Sequence, residues 1–115
     1  YEINIINKYN IKYITVEDIR YNFLNSINKL NQFINNDPVH LSFDVDVLNP
    51  DIMNCTGTKV NNGLFLNESL NLLNVIKAKN IISTDITELN LDLGNLQNKI
   101  KSINTFNKIL NNLQH

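Results

Sequence analysis

The chain has 115 residues, enough for one domain, with 11 acidic against 10 basic side chains and a net charge of −1. That balance, with no basic block, gives non-specific nucleic-acid binding little electrostatic support. No apolar run reaches the roughly 18–20 residues that span a bilayer. The single cysteine, Cys55, excludes an internal disulfide. Asparagine fills about a fifth of the positions; apolar periodicity persists between the asparagines, so the bias reads as AT-rich codons in a folded domain rather than a low-complexity segment. The chain starts at Tyr1 without a signal peptide, and the expectation is a portion of a longer cytoplasmic protein.

In chain order, the β-branched and aromatic run Ile11–Val16 predicts a first strand. Thr15 or Glu17 is placed to cap a helix whose apolar positions Ile19, Phe23, Ile27, Leu30 and Ile34 keep three-to-four spacing. Asp37-Pro38 should end it, because the residue before proline is pushed out of the helical region. Val39–Val47 reads as a second strand and Asn49–Gly63 as a long loop. Leu66 or Asn67 opens a helix with Leu70, Leu73, Val75 and Ile76 as apolar positions, and Asn80–Ile86 reads as a third strand. A turn around Gly94 leads into a last helix with Leu96, Ile100, Ile103, Phe106, Ile109, Leu110 and Leu113 as its expected inner face. Strands alternating with long helices predict an α/β fold with a parallel sheet. Sites in such sheets lie beyond the carboxyl ends of the strands, where Asp44, Asp46, Asp85 and Glu88 all fall.

The segment His40-Leu-Ser-Phe-Asp-Val-Asp-Val-Leu-Asn-Pro50 carries the sharpest chemical signal. Strand alternation would put Ser42, Asp44 and Asp46 on one side and Leu41, Phe43 and Val45 on the other. Two carboxylates about 4 Å apart at an effective dielectric near 20 repel by roughly 4 kcal/mol. No Lys or Arg lies between His40 and Thr58 to offset this, so a metal cation is the leading expectation, and carboxylate oxygens suit Mg, Ca or Mn. The plain alternative is a pair of aspartates capping the next loop. An EF-hand loop is excluded, because Leu48 and Asn49 stand where it needs a ligand and a glycine. His40 is expected to bond a backbone carbonyl at the strand entry, His115 to be a solvated terminal residue, Cys55 to be a plain loop cysteine, and Glu68 to serve its own helix start.

Ser42-Phe-Asp-Val-Asp-Val-Leu-Asn-Pro50, then Thr56-Gly-Thr-Lys-Val-Asn-Asn-Gly-Leu64 with Glu68, then Asp85-Ile-Thr-Glu-Leu-Asn90 resemble the ordered motifs of the ureohydrolases, most closely the carboxyl-terminal part of arginase. Ile11-Lys-Tyr13 and the helix after it also resemble the arginase approach to this strand. The resemblance implies a three-layer α/β/α parallel sheet, of which residues 1–115 would supply the last strands and helices of a single domain. It implies two manganese ions per complete site, with Asp44 bridging them and Asp46 on one, and a bridging hydroxide that attacks a guanidinium carbon. L-Arginine would give L-ornithine and urea. Glu88 matches the residue that receives the guanidinium group, Thr58 a residue lining the substrate site, and Asp85 a supporting position on the strand behind. The proton-shuttle histidine and the remaining ligands would lie upstream, so no catalytic residue is expected within this chain, and the chain alone is expected to be inactive. The partners implied are a small guanidino substrate, no nucleic acid, no membrane, and further copies of the chain in a trimer or hexamer. Five positions depart from the family pattern: Asn49 for aspartate, Asn54-Cys55 for proline and a small residue, Lys59 for proline, and Asn62 for the first glycine of a pair.

Two other readings compete. Phe43-Asp-Val-Asp-Val47 also resembles the first motif of haloacid dehalogenase-type phosphatases, with Asp44 as nucleophile and Asp46 as acid and base. A non-enzymatic ureohydrolase remnant acting as an interaction piece is the other.

Overall fold

Reciprocal hydrogen bonds decide where the second helix starts. Thr15 Oγ1 accepts from the Asp18 N–H, and Asp18 Oδ2 accepts from the Thr15 N–H, each at 3.1 Å. Together they satisfy two backbone donors at a helix entrance, and α2 (Val16–Tyr21) begins there. The computed structural model describes residues 1–114, so the expectation for His115 lies outside the described residues. The expected strand Ile11–Val16 does not form: Val16 opens a helix, and no strand among the described residues pairs with residues 11–15. β-branched content favours a strand only where a neighbouring strand and a packed face reward it. A helix not read from the sequence, α1 (Glu2–Tyr9), comes first and ends on Asn10 in the left-handed region at φ 52, ψ 42. Asn22, at φ −137, ψ 48, separates α2 from α3 (Phe23–Ile34). The expected inward positions hold: Ile19 is buried, while Phe23, Ile27, Leu30 and Ile34 are half-buried. Asn35, at φ 51, stops α3 before Asp37-Pro38 is reached.

The chain divides into two compact units, residues 1–35 and 36–115. The first holds α1 to α3. The second holds β1 (Val39–Asp44), α4 (Leu66–Ile76), β2 (Ile81–Thr87) and α5 (Leu96–Gln114). The β–α–β order gives the parallel pairing read from the sequence, but the sheet described has two strands rather than three. Register runs from Val39–Ile81 to Asp44–Thr87, with an irregularity between Val39 and His40.

The core of the second unit is Phe43, Val45, Leu48, Met53, Cys55, Leu64, Leu73 and Ile109. Each large apolar side chain withdrawn from water there contributes about 1.5–3 kcal/mol before entropy is counted. Five of these eight residues come from residues 45–64, so the long loop is an integral part of the unit. Its two ends are clipped together: the Leu64 N–H donates to the Val47 carbonyl at 2.9 Å, and the Asn49 N–H donates to the Leu64 carbonyl at 2.8 Å. Gly63 permits that approach, because a Cβ there would lie 2.6 Å from the Leu48 carbonyl carbon.

The expected inner face of α5 holds in its second half, where Ile109 is buried and Phe106, Leu110 and Leu113 are half-buried, but not in its first. Ser102, Thr105 and Ile109 are buried, while Leu96, Ile100 and Ile103 are exposed. The hydroxyls explain the choice. Thr105 Oγ1 donates to the Ile52 carbonyl at 2.8 Å, and Ser102 Oγ accepts from the Cys55 N–H at 3.2 Å. Buried loop backbone requires such partners, and two short polar side chains supply them. At the far end Asn112 Nδ2 donates to Asn74 Oδ1 at 3.0 Å, joining α5 to α4.

Candidate functional site

β1 ends at Asp44, and a 3-10 turn over Val45–Val47 follows. Asp44 itself stops the strand: its Oδ1 accepts from the Asp46 N–H at 3.1 Å. The expected strand alternation from Ser42 through Asp46 is therefore corrected, since Asp46 is placed by a turn and not by the pleat. The core side of the alternation survives in Phe43 and Val45, which are both buried. The turn keeps the two carboxylates adjacent. Burial, then the neighbouring charge of Asp44, then that of Glu88 hold the Asp46 carboxyl above the usual carboxylate range. Removing a carboxylate from water disfavours its charged form, and a like charge adds to that. Asp44, Asp46 and Glu88 thus share one electrostatic neighbourhood at the carboxyl ends of β1 and β2.

Glu88 directly follows β2 at φ 71, in the left-handed region. The other non-glycine residues with positive φ, namely Asn10, Asn35 and Asn62, are all asparagines, whose side chains tolerate that region. Glutamate does not, so the backbone spends conformational energy to hold this carboxylate where it is. Strain of this kind collects at functional positions.

Asp85 stands three residues before Glu88, on the sheet face, and its partners are not the other carboxylates. Its Oδ1 accepts from Ser42 Oγ at 2.6 Å, and its Oδ2 lies 3.1 Å from His40 Nε2. His40 Nδ1 in turn lies 2.7 Å from Ser83 Oγ. The expectation that His40 would bond a backbone carbonyl is corrected: both ring nitrogens face side chains of β2. The sequence signal for this group was the two-residue spacing of His40, Ser42 and Asp44 on one strand and of Ser83, Asp85 and Thr87 on the other.

Thr58 is exposed on the loop. A polar cleft on the same loop is lined by Asn49, Pro50, Asp51, Asn61 and Asn62, and none of the predicted site residues lines it. Two of the replacements in this loop are locally accommodated. Asn49 Oδ1 accepts from the Asp51 N–H at 2.9 Å, as an aspartate would, and Asn62 takes φ 59 in place of a glycine. Glu68 Oε1 accepts from the Phe65 N–H at 2.8 Å and serves the start of α4, as expected. Cys55 lies in the loop as expected and is a fully buried free thiol.

Carboxylate oxygens are suitable donors for a hard cation such as manganese. Among the described residues, however, no three His, Cys, Asp or Glu side chains are arranged to hold a metal ion. Asp44 and Asp46 by themselves do not make a metal centre.

Residues 1–106 match the arginase family. An arginase of Entamoeba histolytica is 36% identical over 85 residues, which are 70% of this chain and 28% of that protein. An agmatinase of Blochmanniella floridana is 40% identical over 63 residues, 55% of this chain and 21% of that protein. The crystal structure of arginase from Bacillus subtilis superposes with a TM-score of 0.80 at 27% identity, covering 97% of this chain and 40% of that one. The chain thus spans less than half the length of the relatives it matches, and its α/β architecture is that of the arginase fold. It belongs to the arginase family, the ureohydrolases.

Proposed function

We propose that this chain is the carboxyl-terminal portion of a single arginase-type domain that hydrolyses a guanidino substrate, L-arginine to L-ornithine and urea. The observation that carries the reading is the gathering of Asp44, Asp46 and Glu88 at the ends of two parallel strands, with Glu88 held at φ 71. A site that raises the proton affinity of Asp46 gains from any cation placed there. In this reading Asp44 and Asp46 donate to manganese, two ions in the complete site. Manganese when bound makes water a better nucleophile at neutral pH and offsets charge at the reacting carbon. Glu88 receives the guanidinium through a charge-assisted bond, Thr58 lines the substrate path, and Asp85 fixes the strand behind. Family resemblance further supports a homo-oligomer, a trimer or hexamer.

The test is urea release from L-arginine and from agmatine in the presence of manganese. It is measured on the chain alone, and on the chain co-expressed with the part of Bacillus subtilis arginase that it does not cover. Urea is expected only from the pair, with L-arginine preferred, and Glu88→Gln in the pair should lower the rate at least tenfold, about 1.4 kcal/mol. Urea from the chain alone would overturn the need for completion. A pair that associates, binds manganese and releases no urea would overturn the activity.

A further inference from the structure

The sheet register jumps where β1 begins. Val39 pairs with Ile81 and His40 pairs with Ser83, so Ile82 has no partner on β1. From that point the pairing is continuous to Asp44–Thr87. Side chains alternate along a strand, so one skipped residue decides which half of β2 shares a face with His40, Ser42 and Asp44. With Ile82 skipped, that half is Ser83, Asp85 and Thr87. Without the skip it would be Ile82, Thr84 and Ile86, the chain would advance by about 3.3 Å, and Glu88 would move with it.

The first residues after the skip carry a chain of cross-strand bonds, Ser83–His40–Asp85–Ser42, made in the skipped register. His40 uses both ring nitrogens, one on Ser83 Oγ at 2.7 Å and one on Asp85 Oδ2 at 3.1 Å. Asp85 uses both oxygens, the second accepting from Ser42 Oγ at 2.6 Å. Imidazole and carboxylate are each about half exposed, so water competes for every bond taken singly. The bonds hold as a set because each of the two central groups is tied at both ends. On the opposite face of β2, Ile82 and Thr84 are exposed, and Ile86, paired with the buried Phe43, is half-buried.

We propose that His40, Ser42, Ser83 and Asp85 form a register clamp that holds β2 in its skipped pairing and thereby sets the position of Glu88 relative to Asp44 and Asp46. All four are positioning residues. What the register serves rests on the function proposed above. The register itself does not, and the experiment reads it without an assay of activity.

The probe is nuclear magnetic resonance on the isotope-labelled 115-residue chain, following backbone cross-strand contacts. The parent should show Leu41 against Thr84 and Phe43 against Ile86. In Asp85→Ala and in His40→Ala a second set should appear in at least a tenth of the molecules, with Leu41 against Ser83 and Phe43 against residue 85. Asp85→Asn, which keeps two acceptor or donor positions, should retain the parent register, and Thr84→Val on the opposite face should change nothing. If Asp85→Ala loses its fold, deletion of Ile82 in the same variant decides the matter. With no residue to skip, the clamp is redundant, and the parent pairing should return. Parent pairing alone in both alanine variants would overturn the clamp, as would failure of the Ile82 deletion to restore it.

Discussion

Glu88 is the residue at which conformation and chemistry conflict most openly. A side chain in the left-handed region costs about 1–2 kcal/mol, and glycine escapes that cost. Glu88→Gly also removes a charge that opposes ionisation of Asp46. The substitution should therefore raise the stability of the chain by about 1 kcal/mol, after glycine's greater freedom in the unfolded state is set against the gain. Urea unfolding checks this, and an unchanged or lower midpoint would mean the backbone at Glu88 is unstrained. Asp46 makes a prediction with pH. Its carboxyl holds a proton more tightly in the folded chain than in the unfolded one, so the folded state binds more protons just above the ordinary carboxylate range. Stability from this group is present at acidic pH and is lost as the pH rises through the raised value. Asp46→Asn should accordingly stabilise the metal-free chain at neutral pH and leave it little changed at strongly acidic pH, which unfolding midpoints at the two pH values would show. The carboxylates were legible in the sequence because their spacing is a motif. How Asp46 reaches Asp44 was not, because a cap by Asp44 Oδ1 on the Asp46 N–H replaces the pleat, and spacing alone does not distinguish a two-residue strand step from a tight turn.

At the scale of elements, the misreadings have one cause: backbone groups in search of partners outrank side-chain pattern. Ile11–Val16 has the composition of a strand, yet the Thr15–Asp18 pair turns its last residue into a helix start. The apolar stripe Leu96, Ile100 and Ile103 has the spacing of an inner face, yet α5 turns Ser102 and Thr105 inward to satisfy the loop at Cys55 and Ile52. The β–α–β order and the starts of α4 and α5 were legible because length, capping residues and periodicity agreed there. The loop Leu48–Leu64 supplies the prediction at this scale. Gly63→Ala would press a methyl against the Leu48 carbonyl, and overpacking of that kind costs typically 1–3 kcal/mol. The same substitution at Gly57, where a Cβ meets nothing within 4 Å, should cost far less. Similar losses at both glycines would mean the loop relaxes and the clip at Leu64 is loose.

At the scale of the whole molecule, the α/β class and parallel pairing were legible, and the number of strands was not. A parallel sheet normally has both faces covered, and a two-strand sheet with Ile82, Ser83, Thr84 and Asp85 exposed is far from that condition. The chain matches 40% of the Bacillus subtilis structure, so relatives carry chain that these residues do not supply. Sequence periodicity reports whether a strand exists. Which strands lie beside it is decided by chain that can be far away.

Cys55 has no accessible surface and is the only cysteine of the chain. A Cβ on Gly94 would come within 2.5 Å of its sulfur, so the thiol is sealed by close contact rather than by a flap. A chromogenic disulfide reagent will therefore meet it only in molecules that have opened. The ratio of its labelling rate to that of a free cysteine peptide reads the opening equilibrium directly, about 1.4 kcal/mol for each tenfold slowing. Gly63→Ala should speed the colour change and Glu88→Gly should slow it, in a cuvette and without any denaturant.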